Sequence, residues 1–156
     1  MIKELVAAAM LGGCAASIVT PAASASDPAL LTALFLDARS IEPQLATDFA
    51  CAGIENAGIE EDPPATVLAA LRDRLKVPVL PQSACRRDET TSLVVGEGAT
   101  GSGTWLTIGD IGCAAGRCTA TVSYYVANQG AGGRNVTAER TPSGWRISPT
   151  GRMWIS

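Results

Sequence analysis

The chain has 156 residues, a net charge of −3 and no histidine. That length suits one domain with a core of its own. The missing histidine excludes the Ser-His-Asp triad, the Cys-His pair and most zinc sites, and the acidic balance argues against nucleic acid as a partner.

Residues 1–25 read as a signal peptide. Lys3 supplies the positive start, residues 5–19 are apolar and small, and Ala23-Ser24-Ala25 has the small-x-small pattern of a signal-peptidase site. Cleavage after Ala25 removes one base and one acid, so residues 26–156 keep the charge of the whole and form a single domain. A second reading takes Leu11-Gly12-Gly13-Cys14 as a lipobox, with Cys14 lipidated. Contact with a membrane is expected only in that case, because the apolar run is too short to span a bilayer.

Two helices are legible. Asp27-Pro28 pairs an N-cap residue with proline at the first helical position. Leu30, Leu31, Leu34, Phe35, Ala38 and Ile41 then fall on one stripe. Pro43 ends or kinks this helix, and Leu45 and Phe49, four apart, predict a further turn or two before Cys51. An irregular acidic stretch follows over residues 53–62. Asp62-Pro63 repeats the start signal, with Val67, Leu68, Leu71 and Leu75 as the next stripe and Val77-Pro78 as the stop. Residues 78–92 read as an extended linker and Leu93-Val94-Val95 as a short strand.

From Trp105 the pattern changes to strands. Runs rich in Val, Ile, Thr, Tyr and Trp alternate with Gly, Pro and Ser. Turns are predicted at residues 112–118, 129–133 and 142–144, and Met153-Trp154-Ile155 forms a last strand. Val122, Tyr124 and Val126 share an apolar face, which Val136, Ala138, Trp145 and Ile147 continue; Thr121, Ser123, Tyr125 and Ala127 point the other way.

Once Cys14 has left with the signal or carries lipid, Cys51, Cys85, Cys113 and Cys118 remain. An even count in an exported chain predicts two disulfides. Cys113 and Cys118 flank a turn between strands and face each other across the hairpin, which leaves Cys51 with Cys85. The Cys-x4-Cys spacing does not match a redox motif.

Few residues are left to carry chemistry. Glu60-Glu61-Asp62 is the densest acidic run; the prolines that follow favour helix capping by Asp62 over a calcium loop. Residues 96–103 are glycine-rich but lack the Gly-Lys-Ser/Thr ending of a phosphate loop, so they read as a mobile connection. Arg86-Arg87, beside Cys85, has two readings: an anion or partner contact held rigid by the bridge, or an ion-pair cluster with Asp88, Glu89 or the acidic stretch. Tyr125 is the one tyrosine on the mixed face and a possible binding anchor. The other aromatic residues, Trp105 and Trp154 among them, read as core. Asn135-Val136-Thr137 is a glycosylation sequon. No catalytic or metal-binding residue and no cofactor is expected. Charge is uneven: residues 27–65 are acid-rich with Arg39 as the one base, whereas residues 111–156 hold arginines and a single acid, Glu139.

The block from Ala120 to Val126, with Val136 to Ile147 and its Gly144-Trp145-Arg146-Ile147 ending, resembles the last strands of NTF2-like proteins. That resemblance implies a curved antiparallel sheet around helices, often enclosing a pocket; no catalytic residue carries over. Pro81-Gln82-Ser83-Ala84-Cys85-Arg86 and the terminal Trp154-Ile155-Ser156 resemble small exported bacterial proteins of unknown function. The expected architecture is α+β, with two or three N-terminal helices packed on one face of a four- to five-stranded antiparallel sheet and two disulfides. The expected function is an exported, non-enzymatic binding or interaction module for a protein or small molecule. The alternative is an NTF2-like pocket protein that binds or transforms a small apolar ligand.

Overall fold

The computed structural model describes residues 23–43, 47–127 and 130–156. Most of the expected signal peptide, Cys14 included, and Leu45 lie outside them.

The first helix, α1 (Pro28–Ser40), starts as its sequence requires. Oδ1 of Asp27 accepts the Ala29 N–H at 2.9 Å, and Pro28 opens the helix. Leu30, Leu31, Leu34, Phe35 and Ala38 are buried, while Ile41 stays half-buried past the end. Each fully buried Leu or Phe contributes about 1.5–3 kcal/mol. The second helix, α2 (Ala65–Leu75), buries Val67, Leu68 and Leu71 and stops where Lys76 turns left-handed at φ 59°. Asp62 is not its cap. The N-cap is Pro64, without a side-chain bond, and the Asp62 carboxylate instead accepts from the Ser83 N–H at 2.8 Å and the Ser83 hydroxyl at 2.6 Å.

The sheet departs from expectation. Ten strands are present among the described residues: β1 (Phe49–Asn56), β2 (Ile59–Glu61), β3 (Val79–Pro81), β4 (Cys85–Arg87), β5 (Val94–Gly96), β6 (Gly103–Ala114), β7 (Arg117–Val126), β8 (Gly130–Thr141), β9 (Gly144–Pro149) and β10 (Trp154–Ile155). Eight form one mixed sheet in the order β10-β8-β7-β6-β1-β2, with β3 also beside β1 and β9 also beside β8; β4 and β5 pair separately. The four- to five-stranded antiparallel sheet under two or three helices is therefore overturned. The segment responsible is β1, where Phe49 belongs to a strand rather than to an added helical turn. Its residues 50–52 pair in parallel with β3 on one edge and with β6 on the other. A strand flanked and covered on all sides carries a continuous apolar run instead of an alternation, and the first six residues of β1 are all buried. The acidic stretch is likewise ordered, since β1 runs on to Asn56 and returns as β2. The expected linker over residues 78–92 holds β3, a 3-10 turn (Gln82–Ala84) and β4.

Both helices cover one face of the sheet. Their stripes meet Ala50, Ala52, Ile54, Leu106, Ile108, Ala120, Val122, Tyr124, Val126, Val136 and Ala138 in one core. Trp145 and Ile147 lie on this face as expected but only half-buried, at its margin. A second, smaller core occupies the opposite face above β1, where Phe49, Cys51 and Val94 pack with Leu80, Cys85, Ala99, Trp105 and Tyr125 under the β4–β5 pair. The glycine-rich stretch is explained here. A Cβ at Gly96 or Gly103 would collide with the Phe49 ring, so the stretch begins and ends in close packing.

Both disulfides are as expected, Cys51–Cys85 and Cys113–Cys118, with Cα atoms 6.3 and 4.1 Å apart. A bulge in β6 makes the second geometry available. Between Gly109 and Gly112 the register slips by one residue, which exchanges the faces of the strand. Leu106 and Ile108 face the helices before it, and Ile111 and Cys113 do so after it, which sets Cys113 opposite Cys118. The hairpin closes on two residues, Ala115 and Gly116, both at positive φ. The turn predicted at 129–133 is shorter than expected, because Gly130 to Gly133 already pair with β7.

Candidate functional site

The face of the sheet away from the helices is covered only at the β1 end. Across β6, β7 and β8 its floor consists of small polar residues in register. Thr107, Ser123 and Gly133 form one row, Gly109, Thr121 and Asn135 the next, and Thr119 and Thr137 a third. The Thr121 hydroxyl donates to Oδ1 of Asn135 at 3.0 Å, so the sequon asparagine is exposed on this floor. Farther along, Glu139 accepts from Arg117 and Arg146, each at 2.5 Å. Bonds from Arg146 and then Arg117 hold its carboxyl below the ordinary range.

Aromatic side chains bound this floor. Trp105 and Tyr125 are direct partners at the edge of the small core. Trp154, 48% exposed, lies over Gly133, where a Cβ would meet its indole at 2.6 Å. Trp154 is thus not core; Gly133 leaves the space on the open face that the ring fills. Trp105 is half-buried on this same face rather than under the helices.

The structure brings two of the three candidate contact residues together. The Arg87 guanidinium stands 5.3 Å from the centre of the Tyr125 ring, a cation–π arrangement. The Tyr125 hydroxyl donates to the Ser92 carbonyl at 2.7 Å. Arg86 projects from the other face of β4, beside a hollow it shares with Ser83, Val95 and Glu97. Among the described residues the salt bridges join Arg117 and Arg146 to Glu139, Arg134 to Asp37 and Arg140 to Asp27, and none includes Arg86 or Arg87. The acid next in sequence, Asp88, is committed to its own turn. Hydrogen bonds from Thr91 and Thr90, with the Arg86 charge behind them, hold its carboxyl below the ordinary value.

At the β1 end of the same face, the 3-10 turn lays the Gln82 side chain directly on Gly53. A Cβ at position 53 would coincide with the Gln82 carboxamide. Gln82 is 8% exposed and lines a hollow of about 320 Å³ with Glu60, Glu61, Asp62, Ser83, Cys85 and Trp105. Neither Gln82 nor Gly53 stood out in the sequence reading. The available signal was a glycine inside a strand, which marks close approach by another group.

Comparison with protein-family models, with curated proteins and with solved structures found no match to this chain.

Proposed function

We propose that the protein is an exported, non-enzymatic binding or interaction module whose contact surface is the open face of the main sheet. One contrast carries this reading. The helix-side face is filled by Leu34, Phe35, Leu106, Ile108 and Val122, all buried, whereas the opposite face presents small polar residues between Trp105, Tyr125 and Trp154. Rigid aromatic groups around a polar floor suit recognition, because they offer contact area at little entropic cost. The alternative of an NTF2-like pocket would place its ligand between helices and sheet, where these apolar side chains pack. Export is supported by the two disulfides, which persist in oxidising compartments, and by the apolar leader ending in Ala23-Ser24-Ala25. Among the described residues no helix is long and apolar enough to cross a membrane.

A photo-crosslinking amino acid placed at Thr121 or at Ser123, in cells that export the protein, tests the surface. The same partner captured at both positions, and not from Asp73 on the exposed side of α2, is the expected result. Equal capture from all three positions, or none from the sheet, overturns it.

A further inference from the structure

The bulge in β6 does more than set Cys113 opposite Cys118. Asp110 lies inside it at φ 52°, a left-handed backbone that aspartate adopts at a cost and glycine adopts freely. Bulges re-aim side chains, and this one brings Oδ2 of Asp110 within 3.5 Å of the Thr121 hydroxyl on the open face. The single Thr121 proton goes to Asn135 instead, at 3.0 Å. The Asp110 carboxylate therefore keeps its acceptors, and the Asn135 carboxamide keeps its N–H donors. Among the described residues no cation pairs with Asp110. Asp110 and Asn135 line a hollow of about 420 Å³ with Thr119, Thr121 and Thr150, a size that suits a small-molecule site. Thr150 is fixed there by its N–H, which donates to the Asn135 carbonyl at 2.8 Å. The Thr119 and Thr150 hydroxyls bond to no described residue. Trp154 stands beside the hollow. Its ring covers Gly133, two positions along β8 from Asn135 and on the same face, a separation of about 7 Å.

We infer that this hollow and the Trp154 ring together bind a neutral oligosaccharide. Neighbouring hydroxyls of one sugar donate to the Asp110 carboxylate and accept from the Asn135 amide, a donor and acceptor mixture that a diol matches. The next sugar lays its apolar C–H face on the indole, which is 48% exposed and so leaves contact area to cover. The one charge in the hollow, Asp110, acts against acidic sugars, whose carboxylates it repels. A protein partner fits this part of the surface less well, because the centre of a protein contact is apolar and this floor is made of Thr, Ser, Asn and Gly side by side. The inference rests on the open face being the contact surface and names the ligand class that the face takes.

The test uses the full exported chain, with cellohexaose, maltohexaose, xylohexaose and chitohexaose as separate neutral probes and hexagalacturonate as the acidic one. Two-dimensional NMR follows the Asn135 side-chain amide and the Trp154 indole N–H. Saturable shifts of both resonances with at least one neutral probe, and weaker ones with hexagalacturonate, are the expected result. Asp110→Gly should weaken binding at least tenfold without lowering the melting temperature, since glycine accepts the backbone at that position; a purely structural Asp110 does not separate the two readouts. Trp154→Ala should weaken binding to a similar degree while keeping the dispersed spectrum of a folded chain. Unmoved Asn135 and Trp154 resonances with all four neutral probes, shifts as large with hexagalacturonate, or undiminished binding in both variants overturn the site. If a protein is still captured at Thr121 and Ser123 in that case, the binding-module reading stands without it. Sugar binding without such crosslinks removes the wider contact surface and keeps the hollow.

Discussion

Ala115 holds a backbone that alanine resists. It occupies the first position of a two-residue hairpin turn at φ 48°, followed by Gly116 at φ 79°, the conformation that favours Asn-Gly. Ala115→Asn should therefore stabilise the protein by about 0.5–1 kcal/mol, seen as a higher melting temperature. Asp27 works in the opposite sense, since much depends on it. Its carboxylate caps α1 through Ala29, accepts from the Trp145 indole at 3.1 Å and pairs with Arg140 at 2.7 Å. Burial opposes its ionisation, but the bonds from Ala29, Trp145 and Leu30 and the Arg140 charge outweigh that and hold its pKa below the ordinary 3.8. A carboxyl depressed in the folded state adds stability that is complete above the unfolded value and lost as pH falls through the folded one. Acid titration of the melting temperature should thus show a decline below about pH 4 that is shallower in Asp27→Asn. Asp27→Ala should cost about 0.5–2 kcal/mol from the lost cap alone.

The elements differ in how firmly they are tied. Cys51 and Cys85 are separated by 34 residues and Cys113 and Cys118 by 5. The chain-entropy relation assigns about 3.8 kcal/mol to closing the first loop and about 2 kcal/mol to the second. Removing both cysteines of the first bridge should lower the melting temperature more than removing both of the second; equal shifts would reject that ranking. Trp145 on β9 is half-buried, so Trp145→Ala should cost about 2 kcal/mol, below the range for a fully buried tryptophan, and urea unfolding measures it. At this scale the sequence was legible where periodicity is strong. The stripe of α1 and the β7 alternation follow from spacing, and the Cys113–Cys118 bridge follows from its hairpin, which leaves Cys51 for Cys85. The β6 bulge was not legible, because one inserted residue leaves no compositional mark and is recognised only when Cys113 and Ile108, of opposite parity, face the same way.

For the whole molecule, the misread element was the central one. Phe49-Ala50-Cys51-Ala52-Gly53-Ile54 has no alternation, since neighbours cover it on both edges and both faces, and without alternation a short apolar run fits helix or strand equally. The candidate surface was partly legible. Tyr125 was placed on the mixed face, and the odd–even contrast of Trp105 and Thr107 with Leu106 and Ile108 was present in β6. Gln82 was hidden because its role depends on Gly53, which lies in another element.

The parallel pairing of β1 with β6 joins Phe49 to Gly103, across more than a third of the chain. Contacts this distant in sequence form late, because the intervening loop must close before they contribute. The β6–β7–β8 meander is local and can assemble first, leaving a slot beside β6 that the earlier-synthesised β1 must enter from behind. The order of synthesis and the order of folding are thus opposed. Pulsed hydrogen exchange during refolding should find β7 amides protected before those of β1. Cys51 is fully buried in the folded chain, so in refolding under reducing conditions the loss of its reactivity toward an alkylating agent should coincide with protection of the β1 amides.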